Sequence, residues 1–366
     1  MKYRTLGRTG VTVGEIGMGL EHLLDKEESV VINTIRAAID GGVNYLDCHP
    51  GHDFKDGSLE YAGYAKLSKA LEGVRDKLCI ICLAPCRSFD GIQPRFENYL
   101  RALKTDHTDV FILACCDTSA QFETATGAGN LLDHAKKLRA EGKVRHIGIS
   151  THSSDIVYKA IESGDFDVIM YPVNPSSDIA DGGSDENSTA AQPRKSVYSE
   201  CERNNIALVA MKPFAGGAIF REEVNAGFTP LNLISYTLAQ NGVSAVVPGC
   251  TGPRQIEEIL NYYNCPPEAR DYSDAVAKSK WSVKGDCLYC NHCLPCSADI
   301  NVAEVNRLLD GCKNAPDAVL SARYAALAAK ASACTRCGEC LERCPFEVDI
   351  IGKMKRAVDV FENITK

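Results

Sequence analysis

Eight cysteines in two short bursts near the end of the chain carry the plainest chemical signal. The first burst reads Cys287-Leu-Tyr-Cys290-Asn-His-Cys293-Leu-Pro-Cys296, and the second reads Cys334-Thr-Arg-Cys337-Gly-Glu-Cys340-Leu-Glu-Arg-Cys344-Pro345. The second has the iron–sulfur spacing C-x2-C-x2-C-x3-C-P, and the first is one residue shorter before its fourth Cys. C-x2-C-x2-C wraps the backbone so that three thiolates converge on three corners of a cubane, while the fourth Cys points toward a neighbouring cluster. The expectation is crossed ligation of two 4Fe-4S clusters. Cys287, Cys290, Cys293 and Cys344 would hold one, and Cys334, Cys337, Cys340 and Cys296 the other. Two structural zinc sites are the alternative, because C-x2-C is also zinc spacing. Zinc, however, does not need four Cys per burst or a Cys-Pro terminus.

Elements must hold these thiols and whatever they serve. Between about residues 14 and 263, short apolar runs alternate with amphipathic stretches. The strands expected are Gly14–Gly19, Val43–Asp47, Leu78–Leu83, Val110–Ala114, Arg145–Ser150, Asp167–Tyr171, Ile206–Met211 and Ala245–Pro248. Near-continuous apolar runs of this kind suit parallel strands covered on both faces. Helices are expected over Ser29–Asp40, Leu131–Ala140 and Asp155–Ser163, and near 59–72, 93–103, 194–204, 231–241 and 253–263, several stopping at Gly. Eight strands alternating with eight helices fit an α/β fold of the (β/α)8 TIM-barrel type. An open doubly wound sheet is the rival, but no Gly-x-Gly-x-x-Gly follows the first strand. The barrel is expected over 1–265, a linker over 266–284, and a cluster module over 285–366. The 37 residues between Cys296 and Cys334 leave room for helices near 302–312 and 317–332. Asn174–Gln192 is polar and far longer than an ordinary βα loop, so it reads as a surface loop or a lid over the barrel mouth.

Composition bounds the partners. The 366 residues carry a net charge of −8 and 18 Cys. An acidic balance argues against nucleic acid or an anionic membrane as the main partner. No run approaches the ~20 apolar residues of a membrane span, and the opening Met1-Lys2-Tyr3-Arg4-Thr5 is polar. A cytoplasmic location is expected, where thiols stay reduced and clustered Cys usually means metal.

Several motifs carry a family resemblance. They are Lys2-Tyr-Arg-Thr-Leu-Gly-Arg-Thr-Gly10, Val13-Gly14-Glu15-Ile16-Gly17-Met18-Gly19, Gly42-Val-Asn-Tyr-Leu-Asp47, Glu141-Gly-Lys-Val-Arg-His-Ile-Gly-Ile-Ser150 and Val247-Pro-Gly249. Together they resemble the aldo/keto reductase superfamily. Met211-Lys-Pro-Phe-Ala-Gly-Gly217, with the terminal Cys bursts, resembles its subgroup with a C-terminal helical two-cluster ferredoxin-like domain. The resemblance implies a nicotinamide cofactor across the C-terminal ends of the barrel strands. It also implies a Tyr acid tuned by Lys and Asp, with a His orienting the substrate. Here the Asp is present as Asp47. By the same resemblance the Tyr is replaced by His52, the Lys by Leu83 and the His by Ala114. The positions that hold the carboxamide are Ser150 and Thr151, with Met170 in place of Gln and Met211 in place of the stacking aromatic. Near the adenosine phosphate, the resemblance puts Gly249 at the family's basic position and Arg254 one residue off its expected register, with Thr251 between them.

Reactive side chains nevertheless collect at the expected strand ends: Asp47, Cys48, His49 and His52; Cys82 and Cys86; Cys115, Cys116 and Asp117; His152; Lys212; and Cys250. His52 or His152 can serve as acid or base near neutral pH. Asp47 can orient such a His or pair with Lys212. Asp47, His52, His152 and Lys212 are therefore the catalytic candidates. Each has a plainer reading, as a hydrogen-bonded loop His or a salt-bridged Lys, and the barrel thiols as small core residues. Asp47, His49, His52 and His152 together also suit a further zinc or iron site. The leading functional expectation is an iron–sulfur oxidoreductase whose clusters exchange electrons with a small organic substrate or second cofactor at the barrel mouth. A redox partner protein or ferredoxin would stand at the other end. The alternatives are an NAD(P)H-dependent reductase with His52 in place of the Tyr acid, and a non-catalytic electron-transfer subunit. No flavin-specific motif is readable.

Overall fold

Each apolar run becomes a strand because alternate side chains find two different dry environments. The structure, a computed structural model, describes residues 1–48, 57–86, 92–179, 194–222, 225–279, 285, 287–312 and 315–363. Strands β1 (Tyr3–Thr5) and β2 (Thr12–Gly14) form an antiparallel hairpin. Eight parallel strands follow: β3 (Met18–Gly19), β4 (Tyr45–Asp47), β5 (Cys79–Pro85), β6 (Thr108–Ala114), β7 (Val144–Ser150), β8 (Val168–Pro172), β9 (Ala207–Met211) and β10 (Val243–Val247). They pair in sequence order, and bridges Ile16↔Val246 and Gly19↔Gly249 join the first to the last. The result is the expected eight-stranded parallel barrel, surrounded by helices.

Along β5, Cys79, Ile81 and Leu83 point inward, while Ile80, Cys82 and Ala84 join the layer beneath the helices. That period-two division explains why both faces are apolar. The interior is filled by Tyr45, Val110, Ile112, Ala114, Val168, Met170, Val209, Ala245 and Val247, and hairpin residues Leu6 and Val13 pack into the same cluster. It is a packed core rather than a pore. Gly148 on β7 is required by this crowding, since a Cβ there would sit 2.9 Å from the Val168 carbonyl oxygen.

Most expected helices are present with end shifts of a few residues, for example Glu28–Asp40, Pro230–Ala239 and Pro253–Leu260, but the one expected near 317–332 stops at Ala325, and the first expected strand, Gly14–Gly19, is split between β2 and β3. Ser119–Thr126, closed by a Thr118–Gln121 capping box, and the C-terminal Ile350–Phe361 are additional. A second core joins the barrel's flank to the Cys-rich segment. Leu233 and Tyr236 of the helix Pro230–Ala239 pack in it with Tyr272, Leu288, Val305, Leu308 and Met354. Arg323 bridges this seam by pairing with both Glu202 and Glu304. Among the described residues no helix is long and apolar enough to cross a membrane.

The long connection after β8 begins differently from a free loop. Pro175–Ile179 is a short helix with Asp178 buried, accepting hydrogen bonds from the Tyr198 and Tyr236 hydroxyls at 2.5 and 2.9 Å. A carboxylate with two buried donors fixes this segment to the barrel wall. The remainder of the expected lid, 180–192, lies outside the described residues.

Candidate active site and cysteine pair sites

Because all eight barrel strands run the same way, their C-terminal ends form one rim. Asp117 follows β6, His152 follows β7 and Lys212 follows β9. The Asp117 Oδ1 accepts a hydrogen bond from the His152 backbone N–H at 2.8 Å and faces its Nδ1 at 3.1 Å. The His152 Nε2 lies 2.8 Å from the Lys212 Nζ. An imidazolium would set one donor against another at that contact. The arrangement is satisfied by a neutral ring protonated on Nδ1, donating to Asp117 and accepting from the Lys212 ammonium. Burial alone would push the Asp117 carboxyl up, but hydrogen bonds from the His152 ring and backbone, with the positive charge of Lys212 beyond, hold it below the usual carboxylate range.

Two rim residues leave their strands through left-handed backbone. Cys115 has φ +57° and Lys212 has φ +52°, unusual for side chains other than Gly, Asn or Asp. Cys115 is held by its N–H to the Ser150 Oγ at 3.0 Å. The Lys212 carbonyl accepts from Asn174 Nδ2 at 3.0 Å and from the Ala215 N–H at 2.9 Å. These bonds fix the turn that aims Lys212 across toward β7.

The other candidates are placed as follows. Asp47 ends β4, is 8% exposed, and does not join the His152–Lys212 array; its charge instead bears on Tyr45 and Cys48. Lys212 therefore pairs with His152 rather than with Asp47. Burial above all, with the Asp47 charge, pushes the Cys48 thiol well up. Leu83 and Ala114 face the barrel interior, alongside Met170 and Met211, and form an apolar wall beneath the rim. The Ser150 hydroxyl accepts from Cys115, and the Thr151 Oγ1 accepts from the Ser153 N–H at 3.0 Å. Cys86 and Cys116 hydrogen-bond to each other, and that contact together with burial raises the Cys86 thiol. His49 and His52 lie outside the described residues, and with them the suggested metal site of Asp47, His49, His52 and His152.

On the far side of the rim, Gly249 follows β10 and leads into the helix Pro253–Leu260. A Cβ on Gly249 would meet nothing nearer than the His22 ring at 3.8 Å, and one on Gly252 nothing within 4 Å. Thr251 donates through its N–H and its hydroxyl to Gln255 Oε1, at 2.7 and 3.0 Å. Arg254 is exposed on the first turn of the helix. The floor here is open backbone next to a helix N-terminus and a cation, a setting suited to phosphate.

No disulfide joins any of the 18 cysteines. One cavity in the C-terminal segment is lined by Cys296, Cys334, Cys337 and Cys340, with Ile300, Ile350 and Met354 around them. Cys344 is not in that lining; its charge bears on Cys290, beside Cys287 and Cys293. Cys296, conversely, bears on Cys340. Asn306 Nδ2 donates to the Cys287 Sγ at 3.4 Å, and Ser297 lies 3.7 Å from the Cys337 Sγ. Among the described residues, no three Cys, His, Asp or Glu side chains are grouped to hold a single metal ion.

Sequence reasoning placed Asp117 at the rim without assigning it a role. Its signal is its position three residues past β6, beside His152, which lies two residues past the neighbouring β7.

Comparison with known proteins bears on this geometry. The family model described as "Aldo/keto reductase family" matches residues 15–232. The aldo-keto reductase YhdN of Bacillus subtilis is 28% identical over 173 residues, 42% of this chain and 48% of that protein. The chain thus spans about half the length of this curated relative. Among solved structures, the aldo-keto reductase AKR11C1 from Bacillus halodurans in its holo form superposes with a TM-score of 0.58. It is 18% identical and covers 76% of this chain and 97% of its own. An aldo-keto reductase from Klebsiella pneumoniae in complex with NADPH gives 0.55 at 15% identity, covering 72% of this chain and 90% of its own. At such identities the structural likeness speaks for the fold.

Proposed function

The chain belongs to the aldo/keto reductase family, and on that premise we propose that it reduces a small carbonyl compound at the barrel mouth with NAD(P)H as reductant. This reading departs from the leading sequence expectation, in which cluster electrons drive the chemistry at the mouth. The relatives named above are reductases, and one is held with NADPH. They favour the nicotinamide reading, which the sequence carried as its alternative.

The observation that carries the proposal is the family match over the barrel, together with the open floor at Gly249 and Gly252 beside Arg254. A bound nicotinamide supplies the hydride. The chain must do the rest. Gly249, Thr251 and Arg254 would hold the adenosine-side phosphates, and Ser150 and Thr151 would meet the carboxamide end. Leu83, Ala114, Met170 and Met211 keep water from the carbonyl, which strengthens any charge interaction made there. The family's Lys and His positions are hydrocarbon in this chain, so protonation falls to the polar side of the rim. His52 is one candidate; among the described residues the polar group is the Asp117–His152–Lys212 array.

The cysteine segment, 285–366, fits two 4Fe-4S clusters in the crossed pattern, and the cavity lined by Cys296, Cys334, Cys337 and Cys340 supports it. Such clusters supply single electrons when bound, and a ferredoxin or similar redox protein would be their partner.

The test is anaerobic turnover of methylglyoxal, with NADPH and NADH compared. Oxidation of either nucleotide matched by loss of the carbonyl supports the reading. Carbonyl reduction that proceeds from reduced ferredoxin but from neither nucleotide would restore the cluster-driven reading.

A further inference from the structure

Carbonyl reduction consumes a proton, and in the pattern the family resemblance implies this barrel lacks both the Tyr acid, whose position is His52 outside the described residues, and the Lys and His that tune it and orient the substrate. Leu83 and Ala114 present only hydrocarbon to the interior. Tyr45 is inside the barrel but 0% exposed, so its hydroxyl is sealed beneath the rim. The donor has to be sought among polar groups that reach solvent at the strand ends.

From the geometry of the rim we infer that Lys212 is the proton donor of this site, aimed by His152, with Asp117 as the positioning residue behind it. The inference rests on the carbonyl-reductase reading given above.

Four observations carry it. The contacts are ordered: Asp117 fixes the His152 Nδ1–H, which leaves Nε2 as the acceptor for Lys212 at 2.8 Å. Exposure rises outward along the array, from Asp117 at 25% and His152 at 30% to Lys212, which is exposed. One ammonium N–H is engaged by His152, and the structure shows no hydrogen bond from the other two among the described residues. Lastly, Lys212 sits at φ +52° with its carbonyl held by Asn174 and Ala215. Strain of this kind at a strand end is kept where the surrounding structure over-determines it, commonly at active sites.

In the reaction, the carbonyl carbon would take a hydride, with its two electrons, from the nicotinamide C–H bond of NAD(P)H, which is thereby oxidised to NAD(P)+, and a new C–H bond forms. The carbonyl π bond breaks toward oxygen, and that oxygen takes a proton from the Lys212 ammonium to form the O–H bond. Lys212 is left as a neutral amine and regains its proton from water. His152 keeps its proton on Nδ1 throughout. Its part is to hold the ammonium by one N–H so that another is presented to the substrate, and Asp117 prevents the ring from flipping tautomer.

The test uses the full chain, methylglyoxal and NADPH under anaerobic conditions. Lys212→Gly is the informative variant, because glycine adopts φ +52° without strain and the fold is kept. It is expected to lose about 100-fold in kcat while the NADPH Kd stays within about threefold. Added methylammonium should restore turnover saturably by about tenfold, and Lys212→Arg, which keeps charge but releases no proton, should stay as slow as glycine. Asp117→Asn should fall about tenfold in kcat with KM moving less than about twofold. Three results overturn the inference while sparing the reductase reading: Lys212→Gly within about threefold of the parent, no rescue by methylammonium, or recovery with arginine. Failure of the parent protein to bind or oxidise either nucleotide would instead bring down the reductase reading itself, and this inference with it.

Discussion

Crossed ligation makes a prediction that iron counting can decide. The parent chain, reconstituted anaerobically, is expected to carry about eight iron and eight sulfide, four of each per cubane. In the structure Cys344 bears on Cys290, whereas the cavity of the second burst takes its fourth thiol from Cys296. Cys344→Ala should therefore remove the cluster of Cys287, Cys290 and Cys293, leaving about four iron. Pairing the substitutions turns this into a test of geometry. Cys344→Ala combined with Cys290→Ala should lose no more iron than either alone, because both thiols serve one cubane. Cys344→Ala combined with Cys337→Ala should approach zero, because each removes a different one; sites that act as a unit are non-additive in this way. Iron and sulfide analysis with low-temperature paramagnetic resonance of the dithionite-reduced protein reads the outcome. If Cys344→Ala with Cys337→Ala keeps about four iron while Cys344→Ala with Cys290→Ala loses all of it, ligation is local and the crossed pattern is wrong.

Further outcomes follow from other parts of the fold. Asp167 is held at about 2, because hydrogen bonds from His146, Arg8 and the Ile147 N–H outweigh the upward push of burial. A carboxylate lowered by folding stabilises above its unfolded value and loses that contribution as pH falls through the folded one. Asp167→Asn should thus cost ~2 kcal/mol at pH 7 in urea denaturation, and the gap should close between about pH 4 and pH 2; a gap independent of pH would contradict the assignment. Leu233 is fully buried in the core shared by barrel and cysteine segment. Leu233→Ala should cost about 2–5 kcal/mol and destabilise both parts together in one hydrogen-exchange or calorimetric transition; two separating transitions would show that the seam is weak. Arg254→Ala should weaken NADPH binding by about tenfold and leave NADH nearly unchanged, as expected of one charge-assisted phosphate contact; equal losses for both nucleotides would place Arg254 elsewhere.

The barrel was legible because its strands are apolar on both faces, so Leu78–Leu83 or Val110–Ala114 could be read without knowing their neighbours. The seam between barrel and cysteine segment was not. Tyr236, Tyr272, Leu288 and Val305 are each unremarkable in sequence and meet only in three dimensions. The polar run after β8 read as a loop throughout, yet its first residues are a helix, since Asp178 finds buried hydroxyl partners on two distant helices. The rim shows the same limit. Asp117, His152 and Lys212 could each be placed at a strand end from the pattern. Their union depends on β6 and β7 being neighbours and on the left-handed turn at Lys212, and neither a residue type nor a spacing encodes that turn.

The central claim, that the barrel mouth takes a nicotinamide nucleotide, is tested most directly by titrating the purified anaerobic protein with NADPH and NADH while following nicotinamide fluorescence and protein quenching. Saturable binding by at least one nucleotide, unaffected by Cys344→Ala and, where that nucleotide is NADPH, weakened by Arg254→Ala, is the predicted result. No spectral change with either nucleotide up to the millimolar range would contradict it.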